Sequence, residues 1–409
     1  MGTVQTVVSM VLSFLSIKVT SVYLGPEGLG TLGQLSYFIA MSQAVLAAGF
    51  GTSLVRRTAE LGDDHAARER VVSTVLRTLL AVGIPVSLAI GLASRWLARE
   101  LLHDGDLWVA VAVFGAVFVF GLLGTVIMSC ANGAKDFRTM ALINIGGAVA
   151  SFLMILALCP HYGVMGGLIA TASLPLMRWA ISWGLARRHA WWPRHAFWHG
   201  FSVQEARSAT AFVPLAVISA VGMPLLQLLI RDNLISHSGM ASVGLLQGVM
   251  RISEMYVGTV TWLIAMYFFP RFSEIREAGE LLREIKKGLI VIVPAGAVIS
   301  VALYLLRDWV VRVVFTSAFL PMRDLFAWQM VGNTFQMVGW LFGCVLLAKA
   351  NALKLAVLEI TTIATWWLLS LFLIGLNGAV GATQAYASTY ALYALATAIG
   401  VVLLINKMR

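Results

Sequence analysis

The feature that most restricts this chain is a succession of apolar runs, each about twenty residues long or longer, separated by short polar connections. A helix needs about 20 residues to cross about 30 Å of hydrocarbon. Backbone groups inside lipid must be satisfied within their own segment, so each run predicts a helix. The predicted spans are 3–24, 30–55, 71–96, 108–131, 139–159, 163–186, 208–230, 243–269, 286–306, 324–348, 354–375 and 380–405. Charge agrees with this reading. Only 12% of the 409 residues are Asp, Glu, Lys or Arg, against about 25% in a soluble domain. A chain so poor in charge cannot cover a water-facing surface. The alternation that a transmembrane β-barrel requires is absent. The expected class is an all-α integral membrane protein with about twelve transmembrane helices.

Lys and Arg set the orientation. With the N-terminus inside, the inner segments hold 19 of them. The outer segments hold 6, namely Arg95, Arg99, Arg231, Arg307, Arg312 and Arg323. Both termini are therefore expected on the cytoplasmic side. The net charge of +10 is mostly this bias and does not argue for nucleic acid. The first span is too long for a signal peptide and lacks a cleavage site, so it reads as a mature helix. Met1-Gly2 with Thr6 fits a myristoylation pattern, a chance match in a chain anchored by many helices. Cys130, Cys159 and Cys344 show no metal-ligand spacing and read as small buried hydrophobes.

The chain repeats itself weakly. Arg57, Glu60 and Leu61 correspond to Arg271, Glu274 and Ile275 at a separation of 214 residues. Ala134-Lys135 and Ala348-Lys349 recur at the same separation, as do Gly30 and Gly244, while Gly163 and Gly166 match Gly378 and Gly381 at 215. A near-constant offset suggests two six-helix halves running in the same direction, a plan that places a transporter's substrate site between them. The expected division is an N-lobe at 1–186, a cytoplasmic linker at 187–207 and a C-lobe at 208–409. The linker is basic and tryptophan-rich (Arg187, Arg188, Trp191, Trp192, Arg194, Trp198), a mixture suited to a membrane surface.

An ionisable group within a span costs about 2.5–3.5 kcal/mol on insertion scales and usually faces a cavity or a partner. Lys18 in span 1, Arg178 in span 6, Arg251 and Glu254 in span 8 and Glu359 in span 11 stand out. Arg77 lies near the inner end of span 3, where it can snorkel. Arg251 and Glu254 are three residues apart, share a helical face and can pair. Pro214 and Pro224 in span 7 each remove a helical hydrogen bond and are candidates for gating bends. Gln227, one turn later, is a candidate partner for sugar hydroxyls or for a neighbouring helix. Every histidine lies in or beside a connection, no His/Cys/acid cluster has metal spacing, and there is no GxxxxGK[ST] loop. Neither an enzyme site, nor a cofactor, nor ATP hydrolysis is expected.

Gly25-Pro26-Glu27-Gly28-Leu29-Gly30 resembles the turn found in Wzx-type polysaccharide flippases of the multidrug/oligosaccharidyl-lipid/polysaccharide superfamily, which have the MATE fold. Met322-Arg323-Asp324-Leu325-Phe326-Ala327-Trp328-Gln329, with Val331-Gly332 and Leu347-Ala348-Lys349-Ala350, resembles the enterobacterial common antigen branch of that family, as does Gln384-Ala385-Tyr386. The resemblance implies a substrate of undecaprenyl diphosphate carrying a short saccharide, an enterobacterial common antigen unit or a similar O-unit. It implies passage from the cytoplasmic to the periplasmic leaflet of a bacterial inner membrane. Membrane lipids, a polysaccharide polymerase and chain-length proteins are the partners it implies. It also implies diphosphate-binding cations at Lys18, at Arg56 or Arg57, and at Arg251. A MATE-type drug antiporter or a lipid II flippase of the same fold are the alternatives.

Overall fold

The structure, a computed structural model, describes residues 2–61, 64–189, 191–192, 201–203, 213–349 and 352–408. The expected linker 187–207 therefore lies largely outside the described residues. Among the described residues eleven α-helices follow one another: α1 Gly2–Leu61, α2 His65–Leu92, α3 Ser94–Leu102, α4 Trp108–Gly133, α5 Phe137–Ala186, α6 Val213–Leu263, α7 Phe269–Glu274, α8 Ala278–Leu305, α9 Arg307–Val314, α10 Phe326–Ala348 and α11 Ala352–Met408. Among the described residues the remaining regular elements are short 3-10 and π turns, and there is no strand. Eight helices are long and apolar enough to cross a membrane. The protein is a multi-pass membrane protein.

Four of these helices run to 50–60 residues, far longer than one crossing requires. Each breaks at one glycine. The backbone there is at φ 64, ψ −169 for Gly25 and φ 77, ψ 169 for Gly239. It is at φ 54, ψ −134 for Gly163 and φ 55, ψ −130 for Gly378. A side chain would be strained at positive φ, which is why glycine holds these positions. Among the described residues eight helices, not the expected twelve, are long and apolar enough to cross a membrane, and twelve is reached only if each of the four broken helices is counted twice.

The breaks repeat in kind as well as in place. Gly25 and Gly239 share one conformation 214 residues apart, and Gly163 and Gly378 share another 215 apart. The elements between them recur too. The α2 and α8 helices are both 28 residues long. Each ends at a residue of nearly identical backbone, Ala93 (φ −84, ψ 5) and Leu306 (φ −90, ψ 6). A short amphipathic helix follows each time. In α3, Ala98 and Leu102 are buried while Trp96 is exposed; in α9, Val310 and Val311 are buried while Trp309 is exposed.

By contacts the chain divides into two units. Unit 1 comprises 1–24 and 31–228, and unit 2 comprises 25–30 and 229–409. In unit 1, Leu35, Phe114, Phe118, Leu122 and Leu168 form a buried cluster, with Phe114 edge-on to both Phe38 (5.8 Å) and Phe118 (5.7 Å). Small residues bring α2 and α4 together: a Cβ on Gly115 would stand 2.8 Å from the Gly91 nitrogen, and the Ser87 hydroxyl donates to the Gly115 carbonyl at 2.5 Å. Lipid chains are as apolar as leucine, so close packing and inter-helix hydrogen bonds must hold such helices together. Unit 2 has its own buried cluster, which includes Phe272, Leu281, Leu341 and Val345.

Two connections depart from the sequence reading. Residues 231–242 were expected to be an outer loop holding Arg231; α6 instead continues through them and breaks only at Gly239. Before α7, Ile264–Phe268 widen into π geometry. Pro270 follows immediately and offers no N–H to the ladder, the usual reason for a helix to open there.

Candidate functional site

Described unit by unit, the residues singled out from sequence fall into three environments. The first is a helix end. Arg56 and Arg57 lie in the last turns of α1, where Glu60 takes both: Arg56 Nε to Oε1 at 2.7 Å and Arg57 Nη1 to Oε2 at 3.3 Å. The hydrogen bonds from Arg56 and Arg57 hold the Glu60 carboxyl below its ordinary value. These arginines are tied at the rim of the apolar segment.

The second environment is unit 1. Lys18 is half-buried on α1, seven residues before the Gly25 break. Gln227 on α6 is buried, and among the described residues its side-chain oxygen has no hydrogen-bond partner. Arg178 stands eight residues before the end of α5, about 12 Å inside it at 1.5 Å per residue. Its Nη2 donates to the Asn144 side-chain oxygen at 3.1 Å, across the Gly163 break. The α6 helix runs on through Pro224. The side chain of Pro214 lies outside the described residues.

The third environment is unit 2. Arg251 Nη1 meets Glu254 Oε2 at 3.4 Å, and the two side chains are 41% and 50% exposed. The spacing thus produces the pair, and the pair is open rather than sealed in a core. Glu359 is exposed on the first half of α11. The Lys354 side chain, its sequence-adjacent candidate partner, lies outside the described residues.

Two features went unread in the sequence. Arg231 is fully buried and donates to the Gln247 side-chain oxygen across the Gly239 break. The run Arg231-Asp232-Asn233 looks like a loop; the signal that would have corrected it is Gly239, which stands 214 residues after the turn glycine Gly25. The other feature is a polar seam beside the Arg251 pair. Asn333, fully buried on α10, donates to Ser253 Oγ (2.9 Å) and Tyr256 Oη (2.7 Å), and accepts from Tyr386 Oη (2.7 Å) and Gln329 Nε2 (3.2 Å). Tyr386 also reaches Gln336 at 2.8 Å. Gln329, Asn333 and Gln336 on α10, and Tyr386, Tyr390 and Tyr393 on α11, each follow an i, i+4, i+7 pattern, so each set forms one stripe. Tyr386 lies within electrostatic reach of Glu254.

At the α4–α5 connection, Asp136 caps α5. It accepts from the Thr139 N–H (3.0 Å), the Thr139 hydroxyl (2.7 Å) and the Trp191 indole (2.9 Å), and His189 lies 3.3 Å away. Burial works against the Asp136 carboxylate, but these hydrogen bonds outweigh it and keep its pKa below the ordinary value. Among the described residues no His, Cys, Asp and Glu gather as a metal site.

This chain has relatives. Residues 23–324 match the family described as polysaccharide biosynthesis protein. The chain belongs to that family. Two curated relatives are the lipid III flippases of Escherichia coli (strain K12) and Shigella flexneri. Each is 27% identical over 389 residues, covering 95% of this chain and 94% of the relative. Among solved structures, a MATE family multidrug transporter of the MOP superfamily in an inward-facing conformation superposes with a TM-score of 0.81. It is 14% identical, and the match covers 98% of this chain and 95% of that one. The lipid II flippase MurJ in an inward closed conformation gives 0.78 at 13% identity, covering 98% and 89%. The fold of this family member is therefore MATE-like.

Proposed function

We propose that this protein is a flippase, a transporter and not an enzyme. It moves an undecaprenyl-diphosphate-linked oligosaccharide, lipid III of enterobacterial common antigen or a similar O-unit, from the cytoplasmic to the periplasmic leaflet by alternating access. The observation that carries this reading is the end-to-end similarity to two lipid III flippases within a polysaccharide biosynthesis family. On this reading the chain crosses a bacterial inner membrane twelve times with both termini cytoplasmic, in two six-helix lobes joined by the linker 187–207. Polymerase and chain-length proteins would be neighbours of the route.

The polyprenyl tail stays in lipid while cations take the diphosphate. Arg251 binds phosphate through a planar fork and Lys18 as a point charge. Arg56, Arg57 and Arg178 add positive field, and Gln227 offers an amide to sugar hydroxyls. Glu254 holds Arg251 until the anion displaces it, and Glu359, with Pro214 and Pro224, belongs to coupling or gating. With about two negative charges on the diphosphate, an inside-negative potential of 100 mV favours export by roughly 4–5 kcal/mol.

The MATE-like fold also suits a drug antiporter. The geometry favours the flippase, because Glu254 is already paired with Arg251 and offers an organic cation no free carboxylate. The test is complementation of strains lacking a defined flippase, with the accumulating lipid intermediate identified by mass. Loss of lipid III accumulation on expression is expected. Rescue of a lipid II flippase strain alone, or export of a cationic dye with no lipid phenotype, would replace the proposal.

A further inference from the structure

Arg178 differs from Arg251, Arg56 and Arg57. Arg251 has Glu254 at 3.4 Å, and Arg56 and Arg57 share Glu60. Among the described residues, Arg178 has a single hydrogen-bond partner, the neutral amide of Asn144, and no carboxylate pairs with it. An arginine carries five N–H donors and stays charged. One donor is used here, and the side chain is exposed within an apolar helix. A cation at that depth calls for an anion.

The surroundings hold this side chain in place. Gly147 lies one turn after Asn144 on the first half of α5, and a Cβ there would come within 3.1 Å of Arg178 Cγ and 3.4 Å of its Nε. The missing side chain is the notch in which the arginine stem lies. On the neighbouring position, Trp179 packs on Phe120 of α4 with ring centroids 4.8 Å apart. Gly124 admits the Trp179 backbone, whose Cα would stand 3.6 Å from an added Cβ. These contacts fix the rotation of the second half of α5 and hence the direction of Arg178. Asn144 then fixes one edge of the guanidinium and leaves the rest of the fork open.

We infer that Asn144, Gly147 and Arg178 form a phosphate seat contained within unit 1, in which Arg178 binds phosphate oxygens while Asn144 and Gly147 position it. A planar fork with open N–H groups matches two phosphate oxygens. The phosphate is that of the carrier diphosphate, if the flippase reading holds, or that of a bilayer headgroup. Both present the same oxygens, and the seat itself does not depend on that reading.

The test uses the full chain in nanodiscs, with farnesyl diphosphate as probe and farnesol as neutral control. One set of discs is phosphatidylcholine alone and the other contains phosphatidylglycerol. The expected result is that Arg178→Gln weakens diphosphate binding at least about tenfold, the size of one lost charge-assisted hydrogen bond, and leaves farnesol unchanged. Arg178→Lys should recover only part of the affinity. Asn144→Asp is the decisive positioning variant. A carboxylate there binds the guanidinium more firmly, so a merely structural role predicts unchanged or higher thermal stability with unchanged affinity. The phosphate seat predicts the same stability with lower affinity, below that of Asn144→Ala. If Arg178→Gln keeps the diphosphate but loses phosphatidylglycerol that co-purifies with the wild type, the seat stands and its occupant is a headgroup. Unchanged binding of both overturns it. If instead the wild type binds the diphosphate at this seat and fails to translocate any lipid-linked saccharide, the flippase reading falls and the seat remains.

Discussion

Gly244→Ala should destabilise the protein, although it replaces a helical glycine with the best helix former. A Cβ on Gly244 would overlap the carbonyl of Pro26, and one on Gly30 would come within 2.7 Å of the Met240 carbonyl and 3.0 Å of the Gly244 nitrogen. The obstacle is backbone on each side, so no rotamer change relieves it. Overpacking of this kind costs about 1–3 kcal/mol, and a rigid backbone puts the cost at the upper part of that range. Removing a helical glycine returns about 0.5–1 kcal/mol, which leaves a net loss of about 2 kcal/mol. Gly184→Ala is the matched control, because an added Cβ there meets nothing within 4 Å; it should gain the helix term alone. The two variants should thus differ by about 3 kcal/mol, which at roughly 1 °C per kcal/mol for a chain of 409 residues is a gap of roughly 3–4 °C. A thiol-reactive dye can read it, since Cys130 and Cys159 are buried and react only on unfolding. Equal melting of the two variants would refute the argument that Gly30 and Gly244 exist for backbone approach.

The other expectations are briefer. Asn333→Leu should cost about 1–3 kcal/mol, since it leaves the buried Gln329 amide without its acceptor and takes one of the partners from each of Ser253, Tyr256 and Tyr386; Tyr386→Phe, which removes one member and leaves Asn333 other partners, should cost less in the same melting assay. Asp136 has its pKa depressed in the fold, so its contribution is present above the unfolded value of about 3.9 and fades as pH falls through the folded one. Asp136→Asn should therefore flatten the acid side of the stability–pH curve, and an unchanged slope in scanning fluorimetry would count against the cap. For the proposed orientation, a cysteine at Gly239 should react with an impermeant periplasmic thiol reagent in intact cells and one at Gly279 should not; the reverse pattern would invert the topology.

The helical, membrane-spanning class was legible because charge scarcity and run length are one-dimensional properties. The repeat was legible for a steric reason. A Cβ on Gly166 would strike the Leu158 carbonyl, and one on Gly381 would strike the Leu373 carbonyl. Each returning helix therefore crosses its partner where only glycine fits, and the sequence keeps that glycine in both halves. Arg231 was misplaced by the same logic. Polarity alone made 231–242 a loop, because a buried arginine is recognisable only through its partner, and Gln247 lies 16 residues away across a turn.

Ranking the cations required partners as well. From sequence, Arg178 and Arg251 both stand out as charges within spans, yet that position measures only the cost of leaving a charge unmatched. The structure shows which charges are already matched. Arg251 meets Glu254 at 3.4 Å, whereas Arg178 meets an amide. The two therefore respond differently to removal of a neighbour. If Arg251 only pairs with Glu254, the double change Arg251→Leu with Glu254→Leu should keep full translocation at normal expression, since apolar side chains can replace an ion pair at little cost. If Arg251 takes the diphosphate, the double change should be as inactive as Arg251→Ala, and Glu254→Gln should retain more translocation than Glu254→Ala. No double change of that kind applies to Arg178, whose charge no carboxylate among the described residues pairs with. Substituting Arg178 should therefore remove an anion site without stranding a carboxylate, so activity should fall while the melting temperature holds.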